Sequence, residues 1–536
     1  MTQPTISPHH KKGSPAIAVV PSLLGHCAVQ AGGLLGLEFQ PITVEVASRR
    51  GPSLFQLAGL AETSVREARI RINSALSHLG ITLDEFALTV NLAPANVRKS
   101  GSGLDLSIAV AILGAVEHID SKATNDAVFL GEVALDGAIR AIPGILPLLD
   151  GARKNGIRNA YVPEPNAREA AQIHGMAIHA VRNLHSLVSH LQGETYLEPL
   201  KNVTFRPSQR RDADLSEVRG QLAAKRALIV SAAGHHNLLL VGPPGSGKSL
   251  LARRLTGLLP PLDAKQALET TAIHSIAGVL NSARGIIDVP PFRAPHHTVS
   301  EPGLIGGGSI PRPGELSLAH HGVLFLDEMP EFRRGALESL RQPLEDHEVH
   351  IVRARMRTRF PAHPLLVGAM NPCPCGNWGN PKTPCRCKPE ARLRYLARIS
   401  GPLLDRIDLH VLVPPVDLRA WTTKSGRAPA LSSSEARKMV NRAREAQSIR
   451  YRSGDVSSGK NSLLGLQELE RVADPTPEGK RLLEAAIDKN LLSARGYVRV
   501  LRVARTLADL EGTERPQVEH VGEALRYRLP DLSSIS

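Results

Sequence analysis

From Ile17 to about Leu200, short apolar runs alternate with longer mixed ones. "ITVEVAS" (42–48), "FALTVNLA" (86–93), "AVFLGEVAL" (127–135) and "NAYVP" (159–163) read as strands. "ETSVREARIRINSALSHLG" (62–80), "LDLSIAVAILGAV" (104–116) and "ILPLLDGARKNG" (145–156) read as helices. This alternation predicts an α/β unit over 16–199, behind a loose tail at 1–15. The polar stretch 200–214, interrupted by Pro207, reads as a linker. A second α/β unit follows over 215–416. Over 417–536 the patterns "SSSEARKMVNRAREAQSIRY" (432–451) and "TPEGKRLLEAAIDKNLLSARGYVRVLRVARTLADLEG" (476–512) are helical, with no convincing strand between them. This last part is expected to be an all-helical domain. No internal repeat is visible.

Composition narrows the partners. The 536 residues carry a net charge of +14, which favours a polyanion such as nucleic acid without establishing one. Aromatics are only 3%, so binding built mainly on base stacking is not expected. The longest apolar stretch, "LSIAVAILGAV" (106–116), is too short to span a bilayer. The N-terminus lacks the apolar core of a secretory signal, and the expectation is a cytoplasmic protein without a membrane partner. Four of the five cysteines crowd one segment, which argues against a secreted disulfide framework.

The strongest chemical signal is "NLLLVGPPGSGKSLLARRL". A buried strand runs into Gly242, Pro243, Pro244, Gly245, Ser246, Gly247, Lys248 and Ser249, and then into a helix. This is the phosphate-cradling P-loop in its strand–loop–helix context. Backbone N–H groups and the helix dipole face the phosphates. Lys248 is expected to reach the β- and γ-phosphates of ATP, and Ser249 to ligate Mg²⁺. A second apolar strand, in "GVLFLDEMPEF", ends in Asp327 and Glu328. Asp327 can hold the Mg²⁺ shell and Glu328 can orient the attacking water. A third strand, "PLLVGAMN", ends in Asn371, placed to sense the γ-phosphate.

Two further segments carry chemistry. "NPCPCGNWGNPKTPCRCKP" holds Cys373, Cys375, Cys385 and Cys387 as two C-x-C pairs around a turn-rich stretch. Such pairs can bring four thiolates to one zinc ion; free cysteines in a redox-active or structural loop are the alternative. In "IVRARMRTRFPAH" (351–363), Arg353, Arg355, Arg357 and Arg359 occupy every second position, which on one strand is one face. A hairpin turn at "ARMR" would divide them between two strands. Their charge calls for a negative partner, either nucleic-acid phosphates or the nearby Glu345, Asp346 and Glu348. The doublets His9-His10, His235-His236, His296-His297 and His320-His321 are expected to pack, cap or sit exposed rather than bind metal.

The P-loop, "FLDEMPEF", "AMNPCPCG", "FRAPHHT", "GGGSIPRPGELSLAHHGVLFLDE" and "GPLLDRIDLHV" together resemble the ComM/YifB family of magnesium-chelatase-like AAA+ ATPases, from about residue 17 to 528. The resemblance implies an ATP-driven homohexameric ring acting on DNA, with a link to branch migration in transformation and recombination. It implies that Arg406 is an arginine finger reaching a neighbour's γ-phosphate, and that Arg495 is the sensor arginine of a helical lid. It implies that the arginine hairpin enters the ring pore, with the Gly- and Pro-rich segment 294–315 as a second pore element. The implied fold is an S5-like α+β domain like that of Lon proteases, a P-loop AAA+ core and a helical lid. The Lon serine position falls on Gly103 and its lysine position on Leu146, with Ser100, Ser102 and Ser107 out of register. A non-proteolytic domain is therefore expected. The rival readings are a magnesium-chelatase ATPase subunit remodelling a protein partner, a Lon-like protease, and a nucleotide-switched scaffold.

Overall fold

The computed structural model describes residues 25–59, 63–95, 99, 101, 103–208, 213–353, 356–380, 383–415, 431–489 and 492–528. The tail at 1–15 with His9-His10, Ser100, Ser102 and Arg355 lies outside them.

The N-terminal unit is built on one mixed sheet. Its strands are β1 (Gly25–Leu35), β2 (Glu38–Arg50), β3 (Leu54–Ala58), β4 (Phe86–Ala93), β5 (Ala127–Phe129), β6 (Asn159–Pro163) and β7 (Ala177–Val181). They lie in the order β3-β4-β2-β1-β5-β6-β7. β1, β2 and β4 pair antiparallel, and β5 to β7 run parallel. β2 alternates buried and half-exposed positions, as a one-sided strand should. The helices that pack here include α1 (Ala68–His78), α2 (Asp105–Ala115) and α3 (Ile145–Lys154). Every residue of α2 is buried, which explains why its sequence is apolar on all sides. The buried Asp105 in its first turn is paired with Arg71 at 2.7 Å.

The central unit has α4 (Leu222–Gly234), β8 (Leu238–Val241), α5 (Lys248–Leu255), α6 (Ala264–Ile276), β9 (Phe292–Arg293) and β10 (Val323–Leu326). Then come β11 (Glu348–Arg353), β12 (Met356–Pro361), β13 (Leu365–Met370) and β14 (Leu409–Leu412). Five of these strands form an all-parallel sheet in the order β9-β10-β13-β8-β14. β8, β10 and β13 are buried at every position. Interior parallel strands are covered on both faces, so their sequences read as unbroken apolar runs. β11 and β12 form a separate antiparallel ribbon.

The C-terminal unit contains α7 (Ser433–Arg452), α8 (Leu466–Val472), α9 (Pro477–Asp488), α10 (Ala494–Glu511) and α11 (Val518–Arg526), and no strand among the described residues. α7 and α10 share one apolar core with α4 and the central sheet. His236 ties the two units together, with Nδ1 3.1 Å from Asp408 and Nε2 2.8 Å from the Thr506 hydroxyl. The N-terminal unit also leans on the centre. The Gly144 N–H donates to Ser275 Oγ at 2.9 Å. Gly36, at φ +62, lies so close to Thr358 of the ribbon that a Cβ there would meet its hydroxyl.

Candidate nucleotide site and the surfaces around it

The P-loop sits at the carboxyl ends of the parallel strands, where such sheets open a crevice. Gly245 and Gly247 adopt φ +74 and +91, conformations that side-chain-bearing residues rarely take. Gly242 allows a close approach, since a Cβ there would stand 2.2 Å from the Val413 carbonyl oxygen. Lys248 opens α5 and is almost fully buried. Its ammonium donates to the carbonyls of Gly242 (2.7 Å) and Pro243 (2.9 Å) and to Asn371 Oδ1 (3.2 Å). Burial lowers its pKa, while Asp327 and Glu328 act in the opposite direction. Ser249 Oγ donates to Asp327 Oδ2 at 2.6 Å. Glu328 is held at φ +50, and its N–H donates to Asp327 Oδ1 at 3.0 Å. A pocket of about 400 Å³ gathers Lys248, Ser249, Asp327, Glu328 and Asn371. The structure thus brings together the residues read from three separate strand ends.

One neighbour was not legible in the sequence. His297 Nδ1 lies 3.9 Å from Glu328 Oε2, and its ring meets Phe332 edge-on. Its only sequence signal is its place just after β9, the strand beside the one that carries Glu328.

Arg406 and Arg495 are brought together, but away from this pocket. Both line a cavity of about 1060 Å³ near the amino ends of β8 and β14, beneath α9 and α10. Arg406 is ion-paired with Glu345 and donates to the Pro402 carbonyl at 2.7 Å. Arg499, in the same cavity, pairs with Asp405 at 3.0 Å.

The amino ends of the strands also hold a histidine cluster. His321 Nε2 is 2.9 Å from Glu269 Oε2, and His320 Nε2 is 3.5 Å from the same oxygen. These three ligand atoms lie close enough together to suit a metal. However, His320 Nδ1 accepts the His363 N–H at 3.1 Å, which leaves the ring proton on Nε2, facing the carboxylate. That tautomer suits a carboxylate pair and not a metal ligand. His235 caps α4 in a left-handed conformation and packs on His363.

The arginine run is a hairpin. β11 and β12 flank residues 354 and 355 and pair Val352 with Arg357 and His350 with Arg359. Arg353 pairs with Met356 at the tip, so the four arginines do not share one strand. Val349, Ile351 and Phe360 are buried. Val352, Arg357 and Arg359 are exposed. The nearby acids are engaged elsewhere: Glu345 with Arg406, Asp346 with Gln342 and Glu348 with His350. Arg359 has only a loose approach to Glu38, at 3.9 Å. The Gly-rich segment forms a two-stranded turn at its centre, pairing Gly306 and Gly307 with Pro313 and Arg312.

The four clustered cysteines converge. Cys373 Sγ is 3.4 Å from Cys375 Sγ and 3.5 Å from Cys385 Sγ, and Cys375 and Cys385 are 3.6 Å apart. Cys387 completes the group. In the N-terminal unit, Gly103 faces Ile142 and Leu146 is buried in the core. Ser107 is buried too, its hydroxyl bonded to the Phe129 carbonyl at 2.5 Å. No described helix is long and apolar enough to cross a membrane.

The comparisons with known proteins agree in family. The family described as magnesium chelatase, subunit ChlI, matches residues 214–421. Two companion descriptions, subunit ChlI of Mg-chelatase and its C-terminal part, match 44–166 and 430–528. The chain is 41% identical over 500 residues to the competence protein ComM of Haemophilus influenzae, covering 92% of this chain and 96% of that one. It is 40% identical over 506 residues to the uncharacterized protein YifB of Escherichia coli, covering 94% and 97%. A shorter likeness, 26% over 176 residues, joins it to a Lon protease of Acinetobacter baumannii, covering 30% of this chain and 22% of that one. With a P-loop core between a Lon-like sheet and a helical lid, this chain belongs to the ComM/YifB family of magnesium-chelatase-like AAA+ proteins.

Proposed function

We propose that this chain is the subunit of a ring-shaped ATP-driven motor that moves along DNA, working as a helicase in branch migration. MgATP is its substrate. Lys248 and the P-loop backbone take the β- and γ-phosphates, with Ser249 and Asp327 on the metal. The donors and acceptors present fit that substrate: a lysine with oxygen partners on three sides, and a serine–carboxylate pair at 2.6 Å. Bound Mg²⁺ would neutralise charge on the phosphate oxygens. Glu328 orients the attacking water and Asn371 senses the γ-phosphate.

Arg406 and Arg495 share a cavity that excludes the P-loop of their own chain. In a hexamer they would serve a neighbour's nucleotide. The N-terminal unit, with Gly103 and Leu146 where Lon has serine and lysine, positions the ring or grips substrate without cutting peptides.

The observation that carries the DNA reading is the ribbon. It belongs to the same unit as the P-loop, and its exposed Arg357 and Arg359 are not taken up by Glu345, Asp346 or Glu348; Arg359 has only the 3.9 Å approach to Glu38. Backbone phosphates supply the missing charge without reading sequence, as a motor requires. The relative named for competence supports the same direction. The test is the ATPase rate with no DNA and with single-stranded, duplex and branched DNA. A clear rise, largest on branched DNA, is expected. Equal rates under all four conditions would discard the motor in favour of the chelatase-type ATPase that remodels a protein partner.

A further inference from the structure

The cysteine hairpin leaves β13 at Asn371, two residues before Cys373, and returns to pack on the P-loop. The turn Cys373–Gly376 is closed by the Gly376 N–H on the Cys373 carbonyl, at 2.9 Å. Gly376, at φ +76, sits against Pro244, and a Cβ there would lie 2.5 Å from the proline Cδ. Asn371, at the root of the hairpin, accepts from Lys248. One short segment therefore touches the nucleotide pocket at its roof and at its sensor.

All four thiols are free. A zinc ion with Zn–S bonds of about 2.3 Å in a tetrahedron separates its sulphurs by roughly 3.8 Å. The sulphur–sulphur separations of 3.4, 3.5 and 3.6 Å fall within a few tenths of an ångström of that value. Two backbone N–H groups aim at sulphur: Trp378 N–H at Cys373 Sγ (3.3 Å) and Cys387 N–H at Cys385 Sγ (3.4 Å). Such donors orient thiolates and stabilise their charge. Among the described residues of 371–387 there is no helix or strand; Cys373 is buried, and Trp378 lies under the Arg392 guanidinium at 4.9 Å.

We infer that Cys373, Cys375, Cys385 and Cys387 form a zinc site and that this site is a strut for the nucleotide pocket. The ion fixes the Cys373–Gly376 turn against Pro244 and sets Asn371 beside Lys248. The strut rests on the nucleotide reading given above; the zinc site does not.

Two measurements on the full chain test it. The first is metal content after purification without chelator, together with replacement by cobalt. About one zinc per chain is expected, and cobalt should give the thiolate charge-transfer band and intense visible bands of a tetrahedral sulphur site. A folded wild type without zinc, or cobalt spectra lacking those bands, overturns the site. The second is affinity for a fluorescent ADP analogue. Cys385→Ser/Cys387→Ser should lose the zinc and weaken nucleotide binding by about tenfold. Gly376→Ala keeps all four thiols, and its new methyl meets Pro244; it should weaken binding similarly. Wild-type affinity in Gly376→Ala, or in a folded zinc-free variant, overturns the strut. Lys248→Ala is the control for the nucleotide reading: if it binds the analogue as wild type does, that reading fails, while the zinc result stands by itself.

Discussion

The two ends of the central sheet are made from the same five strands and have opposite characters. At the carboxyl ends, Lys248, Ser249, Asp327, Glu328 and Asn371 converge on an open pocket. At the amino ends the polar groups are mostly inward, and the fold satisfies only some of them: His235, His320, His321, His363 and His410 each keep one buried ring nitrogen without a hydrogen-bond partner. Asn237, just before β8, accepts from the Leu366 N–H of β13 at 2.9 Å and donates to the Arg406 carbonyl, in the approach to β14, at 2.8 Å. His320 and His321 lean on Glu269, and burial pushes His320 down to about 4. A residue rich in chemistry is therefore not by itself a site. Strand direction decides which end carries the phosphate site, because the loops that leave the carboxyl ends of parallel strands line the crevice there.

Arg406 is the exception, a proposed catalytic group on the amino side, and testing it strains the comparison most. Arg406→Ala should lower ATP turnover by about 10³-fold or more. Mixing it with Lys248→Ala subunits should restore part of the rate, because one interface type regains both residues. Mixed rings that form and stay inactive would mean that Arg406 acts within its own chain or not at all.

Glu328→Gln tests the open end directly. Turnover should fall by about 10²–10⁴-fold while nucleotide binding survives, since Lys248 and the P-loop are untouched. Wild-type turnover in this variant would remove Glu328 from the chemistry.

The ribbon extends the comparison to charge. Arg357→Ala/Arg359→Ala should flatten the plot of log DNA affinity against log salt by up to about 2 per engaged subunit, evenly across sequences. Basal ATP hydrolysis should be unchanged. An unaltered slope would place DNA on another surface.

The smallest effect belongs to the amino end. Burial depresses the pKa of His320, and likewise those of His235 and His363. Between the unfolded value of about 6.5 and the depressed folded values, the unfolded chain binds more protons. Stability should therefore fall as pH drops below about 6.5, by up to about 1.4 kcal/mol per pH unit for each such histidine. His320→Asn, whose Oδ1 can still accept the His363 N–H, should shallow the fall in Tm between pH 6.5 and 4. Identical slopes in the two proteins would remove His320 from the titration.

The sequence by itself determined whatever is local. The P-loop was legible because strand, glycines, lysine and helix are consecutive and each residue type has one physical use. The buried strands were legible because parallel interior strands must be apolar at every position, and the helical lid because its apolar spacing keeps one period. The division of the arginine run between two strands also follows from a local pattern. Only the tertiary structure decided which distant residues meet. β1, which sits in the interior of the first sheet, carries glycines and polar residues, so its run does not stand out. Arg406 and Arg495 are 89 positions apart, and neither spacing nor composition says that they share a cavity on the far side from the P-loop. His297 reaches Glu328 because β9 lies beside β10, and Gly376 reaches Pro244 because β13 lies beside β8. Those neighbours are set by strand order, which arises from packing whole faces against one another and leaves no mark within any single stretch of chain.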